Sequence, residues 1–139
     1  AHSALAMTWS TLGYDDRAQS AASRAFKLSA GLSREERLSV EGAYRDTVRE
    51  WKQAIEIYQT LFRFFPDNLE YGLRLANAQV SSGAPKEALE TIDALRKSGA
   101  KSDPRIDLAD AAAAENVSDF KRMRASAALA DDRDEAEAY

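Results

Sequence analysis

The chain has 139 residues, of which 45% are hydrophobic and 30% are charged, and its formal net charge is −4. This length and hydrophobic fraction fit one domain with a continuous core, whereas the mixed, mildly acidic charge argues against a nucleic-acid partner held through its phosphates. The sequence has no cysteine, which excludes disulfides, thiolate metal sites and cysteine nucleophiles, and no apolar run approaches the roughly 18 residues of a membrane-spanning helix.

Local signals divide the chain into eight predicted helices. Ser33 and Glu36 are placed as the two ends of a capping box, which favours a helix start at residue 34. From Gln53 to Phe64, apolar residues recur at helical spacing. This segment is therefore predicted to be a helix with Leu61 and Phe64 facing inward. Pro66 ends that helix. The predicted helices form antiparallel pairs at residues 1–12 and 15–29, 34–48 and 51–64, 69–82 and 85–97, and 104–116 and 119–136.

Four short segments repeat one pattern, in which a small or polar residue and an aromatic or apolar residue precede a helix. The segments end at residues 18, 54, 88 and 123, which are 36, 34 and 35 residues apart. Self-similarity at a fixed period of this length indicates a helical-repeat array, in which each helix pair buries its apolar face against its neighbours.

The best-defined unit resembles the second half of a tetratricopeptide repeat. In this family the second helix carries an early alanine, an aromatic residue four positions later, a small or apolar residue three further on, and a closing proline. Ala54, Tyr58, Leu61 and Pro66 fill these positions. Further matches are Ala18, Ala22 and Ala25 in the first unit, Ala88, Ile92 and Leu95 in the third, the turn glycines Gly13 and Gly83, and the first-helix residues Trp9 and Gly42.

The resemblance implies an all-α, right-handed α-solenoid of about four helical hairpins in a single domain. The repeats are expected at approximately residues 1–32, 33–68, 69–102 and 103–139. Members of this family usually hold a peptide or a partner helix on the concave face lined by the first helices, so we predict a non-catalytic protein–protein interaction scaffold. The partner-binding positions implied on these helices are Ser3, Met7, Ser39, Ala43, Asp46, Leu73, Arg74, Asn77, Leu108, Ala112 and Glu115.

Several positions depart from the family pattern. Arg49 stands where a turn glycine is usual, so we expect an extended helical end or a less tight turn there. Glu41 occupies a normally apolar position, and Arg45 is placed four residues later to pair with it. The fourth unit has Met123 in the alanine position and few large apolar residues beyond Phe120, as expected of a terminal capping repeat. An acidic tail, residues 131–137, is expected to extend into solvent.

Other candidate sites favour structural roles. Trp9 and Trp51 are predicted to pack between helices rather than to hold a ligand. Phe62 and Phe65 are expected either to cover the seam between repeats or to contact a partner. The one histidine, His2, has no orienting group for nucleophilic catalysis, and no calcium loop or phosphate-binding loop is present. We therefore predict no catalytic, cofactor-binding or metal-binding residues.

Two other functions remain open at this level. The first is a regulatory module of a larger signalling protein that senses a small ligand in a closed apolar pocket. The second is self-association into a homodimer through the fourth repeat or through Phe62 and Phe65. The chain starts without methionine inside an apolar pattern, so we expect a piece of a longer protein. Segments 65–75 and 103–108 resemble repeats attached to bacterial serine/threonine kinases and winged-helix regulators. A cytoplasmic and a periplasmic location are both compatible with the sequence.

Overall fold

A computed structural model of the chain describes residues 2–98, 103–117 and 125–131, with only the backbone at residues 2, 3 and 7. Within these ranges the regular structure is helical and contains no strand. A 3₁₀ helix, Leu28–Gly31, follows the second α-helix, and residues 125–131 are also helical. The α-helices are α1 (His2–Thr11), α2 (Asp15–Lys27), α3 (Arg34–Thr47), α4 (Trp51–Phe64), α5 (Leu69–Ser81), α6 (Pro85–Lys97) and α7 (Pro104–Asn116).

The observed helices confirm the predicted all-α, helical-repeat fold. Helices α4, α6 and α7 begin and end at the predicted residues, while α2 ends at Lys27, where the 3₁₀ helix takes over. Of the last predicted helix, only residues 125–131 lie in the described part of the chain. Phe120, Met123 and residues 132–137 of the acidic tail lie outside it.

Side-chain caps stabilise the starts of α3, α5 and α7. The Ser33 hydroxyl accepts the Glu36 N–H at 3.2 Å, and the Ser33 N–H donates to Glu36 Oε2 at 3.0 Å, which is the predicted capping box. Both Ser33 groups hold the pKa of Glu36 below its usual value. Asn68 and Asp103 cap α5 and α7, and the side-chain oxygen of each accepts the N–H two residues later.

Three helix-to-helix turns share one geometry. Gly13, Arg49 and Gly83 have φ values of 78°, 62° and 83°, so all three adopt the left-handed conformation. Each N–H donates to a carbonyl three residues back, and the next N–H donates to a carbonyl five residues back. These are the bonds of a Schellman motif. The expectation of a looser turn or a longer helix at Arg49 was wrong, because an arginine can adopt this conformation at a cost of roughly 1–2 kcal/mol.

The Arg49→Gly variant should therefore be more stable than the natural chain by about 0.5–1 kcal/mol. Glycine relieves the left-handed strain, and the Arg49–Asp15 contact that it removes is an exposed pair at 3.4 Å worth little. Gly83→Ala is the matched control and should destabilise by a similar amount, since nothing within 4 Å obstructs a Cβ there and only backbone strain acts. Urea denaturation followed by circular dichroism measures both; equal midpoints for all three chains would contradict the strain argument.

The structure divides into two compact units, Ala1–Leu61 and Phe62–Tyr139, and the boundary falls inside α4. In the first unit, α1 and α2 pack through small residues, with Ala6, Ala21 and Ala22 buried beside Trp9 and Tyr44. The signature residues of α4 in this unit, Ala54, Tyr58 and Leu61, are fully buried. Their burial confirms the positions predicted from the repeat pattern.

In the second unit, α5 contacts both α6 and α7, and α6 also contacts α7. The signature residues Ala88, Ile92 and Leu95 of α6 are fully buried, as predicted. A polar pair lies within this unit: the Thr91 hydroxyl donates to Gln79 Oε1 at 2.8 Å. The other members of the apolar core are Leu73, Ala76, Ile106 and Ala113, with Phe62, Leu69, Val80, Leu89 and Ala109 packed around them.

Candidate functional site

In the first unit, the predicted partner-binding residues belong to α1 and α3. Ser39, Ala43 and Asp46 of α3 are all half-buried. The side chains of Ser3 and Met7 lie outside the described part of α1. Nearby, the predicted Glu41–Arg45 pair is present at 3.5 Å, and Arg45 also pairs with Glu50. These hydrogen bonds, chiefly the one to Glu50, raise the pKa of Arg45 and fix its guanidinium on α3.

In the second unit, α5 exposes one polar stripe. Asn77 is exposed, whereas the Arg74 side chain is only 17% exposed and its Nε donates to Glu70 Oε1 at 2.8 Å. Leu73 is 8% exposed and packs in the apolar core, which leaves it little surface for a partner. Of the α5 residues predicted to bind, Asn77 is thus the most available.

Helix α7 exposes a second stripe, which is mainly apolar. Leu108 is 58% exposed, and Ala112 and Glu115 follow it at spacings of four and three residues, both exposed. Ile106 and Ala113 are fully buried in the core. The three residues predicted on this helix therefore form a continuous accessible face.

The two stripes meet at the beginnings of their helices. Arg105 Nη1 on α7 lies 3.8 Å from Glu70 Oε2 on α5, and Arg105 also pairs with Asp103 at 2.8 Å. The hydrogen bond and charge of Asp103, with the charge of Glu70, raise the pKa of Arg105. We call the combined face the α5–α7 surface, consisting of Glu70, Arg74, Asn77, Arg105, Leu108, Ala112 and Glu115.

An open cavity of about 660 Å³ adjoins this surface at Glu70 and Arg105. Phe64 and Phe65 form its aromatic side, and Phe64 is 64% exposed. The prediction that Phe64 faces inward was wrong. The buried face of α4 is centred on Ala54, Tyr58 and Leu61, and at 3.6 residues per turn Phe64 lies roughly 80° away from that centre. The remaining wall is formed by Pro66, Asp67, Asn68 and Leu69.

The second unit contains a largely buried ionic cluster that was not predicted from the sequence. Arg96 Nη2 on α6 lies 3.0 Å from Asp107 Oδ1 and 2.6 Å from Asp110 Oδ2 on α7. The Ser126 hydroxyl donates to Asp110 Oδ2 at 2.7 Å, which connects segment 125–131 to the cluster. Asp107 and Asp110 stand among apolar residues at inward positions, and that placement is the signal that could have revealed them. The cluster connects α6, α7 and segment 125–131.

The two tryptophans are half-buried, in line with packing positions. Trp9 packs on the core of the first unit and against Tyr14, whose ring lies edge-on at a centroid distance of 5.5 Å. Among the residues described by the structure, no group of three His, Cys, Asp or Glu side chains could hold a metal ion. In the same residues, no helix combines the length and apolar character needed to cross a bilayer.

Comparison with known proteins gives one family-model match and similar solved structures. Residues 49–115 match the family model described as Tetratricopeptide repeat. The solved structure "MamA MSR-1 C2" aligns with a TM-score of 0.69 and 17% identity over 96% of this chain and 75% of its own. The solved structure of a MamA point mutant aligns with a TM-score of 0.63 and 17% identity, over 95% of this chain and 75% of its own. No curated protein sequence matches. At this identity the likeness concerns the fold alone.

Residues 49–115 of this chain therefore match tetratricopeptide repeats. The chain is a helical-repeat protein with a solenoid-type fold. Tetratricopeptide repeats are typically non-catalytic interaction scaffolds.

Proposed function

We propose that this chain is a non-catalytic protein–protein interaction scaffold that binds a peptide or a partner helix on the α5–α7 surface. The observation that carries the proposal is the contact between α5 and α7, which sets two accessible stripes side by side in one unit. Each stripe follows the spacing of a helical face, so the surface extends along both helices.

The chemistry of the α5–α7 surface suits a peptide. Asn77 offers a side-chain amide that can both donate to and accept from a peptide backbone. On α7, Leu108 and Ala112 supply exposed apolar area, and Glu115 can accept hydrogen bonds near the end of the helix. Arg74, held by Glu70, contributes positive charge with an orientation fixed in advance, which lowers the entropy lost on binding.

The adjoining cavity gives such a peptide an anchor. Large aromatic side chains in accessible positions are enriched at the centres of protein interfaces. Phe64 and Phe65 offer an apolar contact to a bulky side chain at one end of the surface, where Glu70 and Arg105 provide polar contacts. The distribution of one apolar anchor and several polar groups is typical of interfaces that have a dry centre and a polar rim.

The Leu108→Glu variant tests this proposal. At least one class of peptides selected from a displayed random library on the natural chain should bind Leu108→Glu about tenfold more weakly, equivalent to roughly 1.4 kcal/mol, because a charge replaces apolar contact area. Leu12→Glu is the matched control, since Leu12 is 60% exposed and lies in the other unit. Fluorescence anisotropy measures both affinities. If the two variants lose peptide affinity equally, or if neither loses any, the peptide does not bind on the α5–α7 surface.

Self-association is the second candidate function, favoured by the exposed Phe64. Phe62 packs partly against the core, whereas Phe65 is more accessible, so Phe64 and Phe65 would carry a homodimer contact. Sedimentation across a concentration series tests it, and a monomer at every concentration would exclude it. A ligand-sensing module would need an enclosed apolar pocket, and the cavity beside Phe64 is open and partly polar. Attachment to a bacterial kinase or winged-helix regulator stays a proposal that the full parent sequence would decide.

A further inference from the structure

Two arginines of α2 line a small open cavity on the Ala1–Leu61 unit. The cavity measures about 220 Å³ and is formed by Leu5, Trp9, Arg17, Ser20, Ala21 and Arg24. Arg17, Ser20 and Arg24 are spaced by three and four residues, which places them on one face of the helix. Among the described residues, both charged groups of the wall are positive, although the whole chain carries a net charge of −4.

Aromatic rings, rather than a carboxylate, hold Arg17 in place. Its Cζ lies 4.9 Å from the Trp9 ring centroid and 5.6 Å from that of Tyr14. Stacking of this kind uses the flat face of the guanidinium and leaves its N–H groups directed outward in the plane. No residue in the described part of the chain forms an ion pair with Arg17 or Arg24.

The acidic residues of α2 do not line this cavity. At 3.6 residues per turn, Asp15 lies roughly 160° around the helix from Arg17, whereas Asp16 lies one turn before Ser20 and flanks the cavity. Asp15 is also in contact with Arg49, at 3.4 Å. Two arginines in the wall, flanked by one acid, Asp16, leave the cavity with a net positive charge.

We propose that this cavity binds a carboxylate side chain of an acidic peptide, with a neighbouring apolar residue of that peptide seated on Leu5 and Trp9. Charge complementarity identifies the occupant: two guanidinium groups on one face match a carboxylate in both charge and hydrogen-bond geometry. The volume is smaller than the roughly 300–1,000 Å³ of sites for drug-sized ligands. It fits one or two side chains of a peptide that continues across the surface. This site is independent of the α5–α7 surface.

The experiment uses a random dodecapeptide library displayed on phage and selected on the full chain. Peptides rich in Asp and Glu should be recovered, and their synthetic forms should bind Arg24→Glu at least about tenfold more weakly in fluorescence anisotropy. Arg17→Lys keeps the charge but loses the planar fork, so affinity should fall about threefold. Arg37→Glu, at an exposed position of α3 outside the cavity, is the matched control and should bind within about twofold of the natural chain.

A spectroscopic readout locates the peptide. The Trp9 indole N–H resonance should shift during titration while that of Trp51 stays in place, and replacing each acid of the peptide by its amide should abolish the shift. Recovery of no arginine-dependent acidic peptide would overturn the proposal. An equal loss of peptide affinity in Arg24→Glu and Arg37→Glu would also overturn the proposal, because it would indicate nonspecific electrostatic attraction. Neither result bears on the α5–α7 surface, which Leu108→Glu tests separately.

Discussion

Replacing Arg96 by methionine should destabilise the Phe62–Tyr139 unit by about 3 kcal/mol or more, the largest effect expected for a single side chain here. Asp107 is fully buried and the side chain of Asp110 is 4% exposed, and both carboxylates lie within 3.0 Å of Arg96 Nη2. Removing the cation leaves two negative charges in a region of low dielectric, where each costs several kcal/mol. Methionine preserves most of the apolar stem of arginine, so the loss reports on charge more than on packing.

Two further variants isolate the cause. Arg105→Met removes an exposed arginine of the same unit that pairs with Asp103 and Glu70, and it should cost less than about 1 kcal/mol. The triple variant that adds Asp107→Asn and Asp110→Asn to Arg96→Met should recover most of the lost stability, since neutral side chains need no cation. Urea denaturation measures all of them. A loss in Arg96→Met that the two asparagines leave unchanged would assign the effect to packing instead.

Local signals explain why the helix ends could be predicted. Helix α6 begins at Pro85, and α3 begins after the Ser33 capping box, because both signals act within four residues of the start. The signature positions on α4 and α6 were equally predictable, since one helical face decides which residues are buried. Arg49 shows the limit of such signals: the same turn forms with an unfavourable residue because the helices on either side determine its geometry.

Interactions between distant residues could not be predicted in this way. Arg96 and Asp110 are 14 positions apart, and Ser126 is 30 positions from Arg96, so no periodicity connects them. Leu73 was expected on the accessible face of α5, but α5 packs against both α6 and α7 and buries more than one face. Only a few residues of α5 are therefore accessible. Asn77 on α5 and Leu108 on α7 are the best candidates for contact with a partner.

The Gly72→Ala variant should be destabilised by roughly 1–3 kcal/mol, although alanine is the better helix former by about 1 kcal/mol. A Cβ at this position would overlap Leu95 Cδ2 and lie 2.8 Å from Leu95 Cγ. Leu95 is fully buried on α6, so it cannot turn away without disturbing the core of the second unit. Glycine at this position therefore permits the close approach of α5 and α6.

Matched variants separate this clash from the general properties of alanine. Gly31→Ala lies where nothing within 4 Å obstructs a Cβ, and it should be neutral or slightly stabilising. Leu95→Ala creates a cavity and is destabilising by itself, but combined with Gly72→Ala it removes the clashing atoms, so the two changes together should cost less than their sum. A double-mutant cycle from urea denaturation gives this coupling energy. Strict additivity would show that α5 and α6 do not depend on glycine for their close contact.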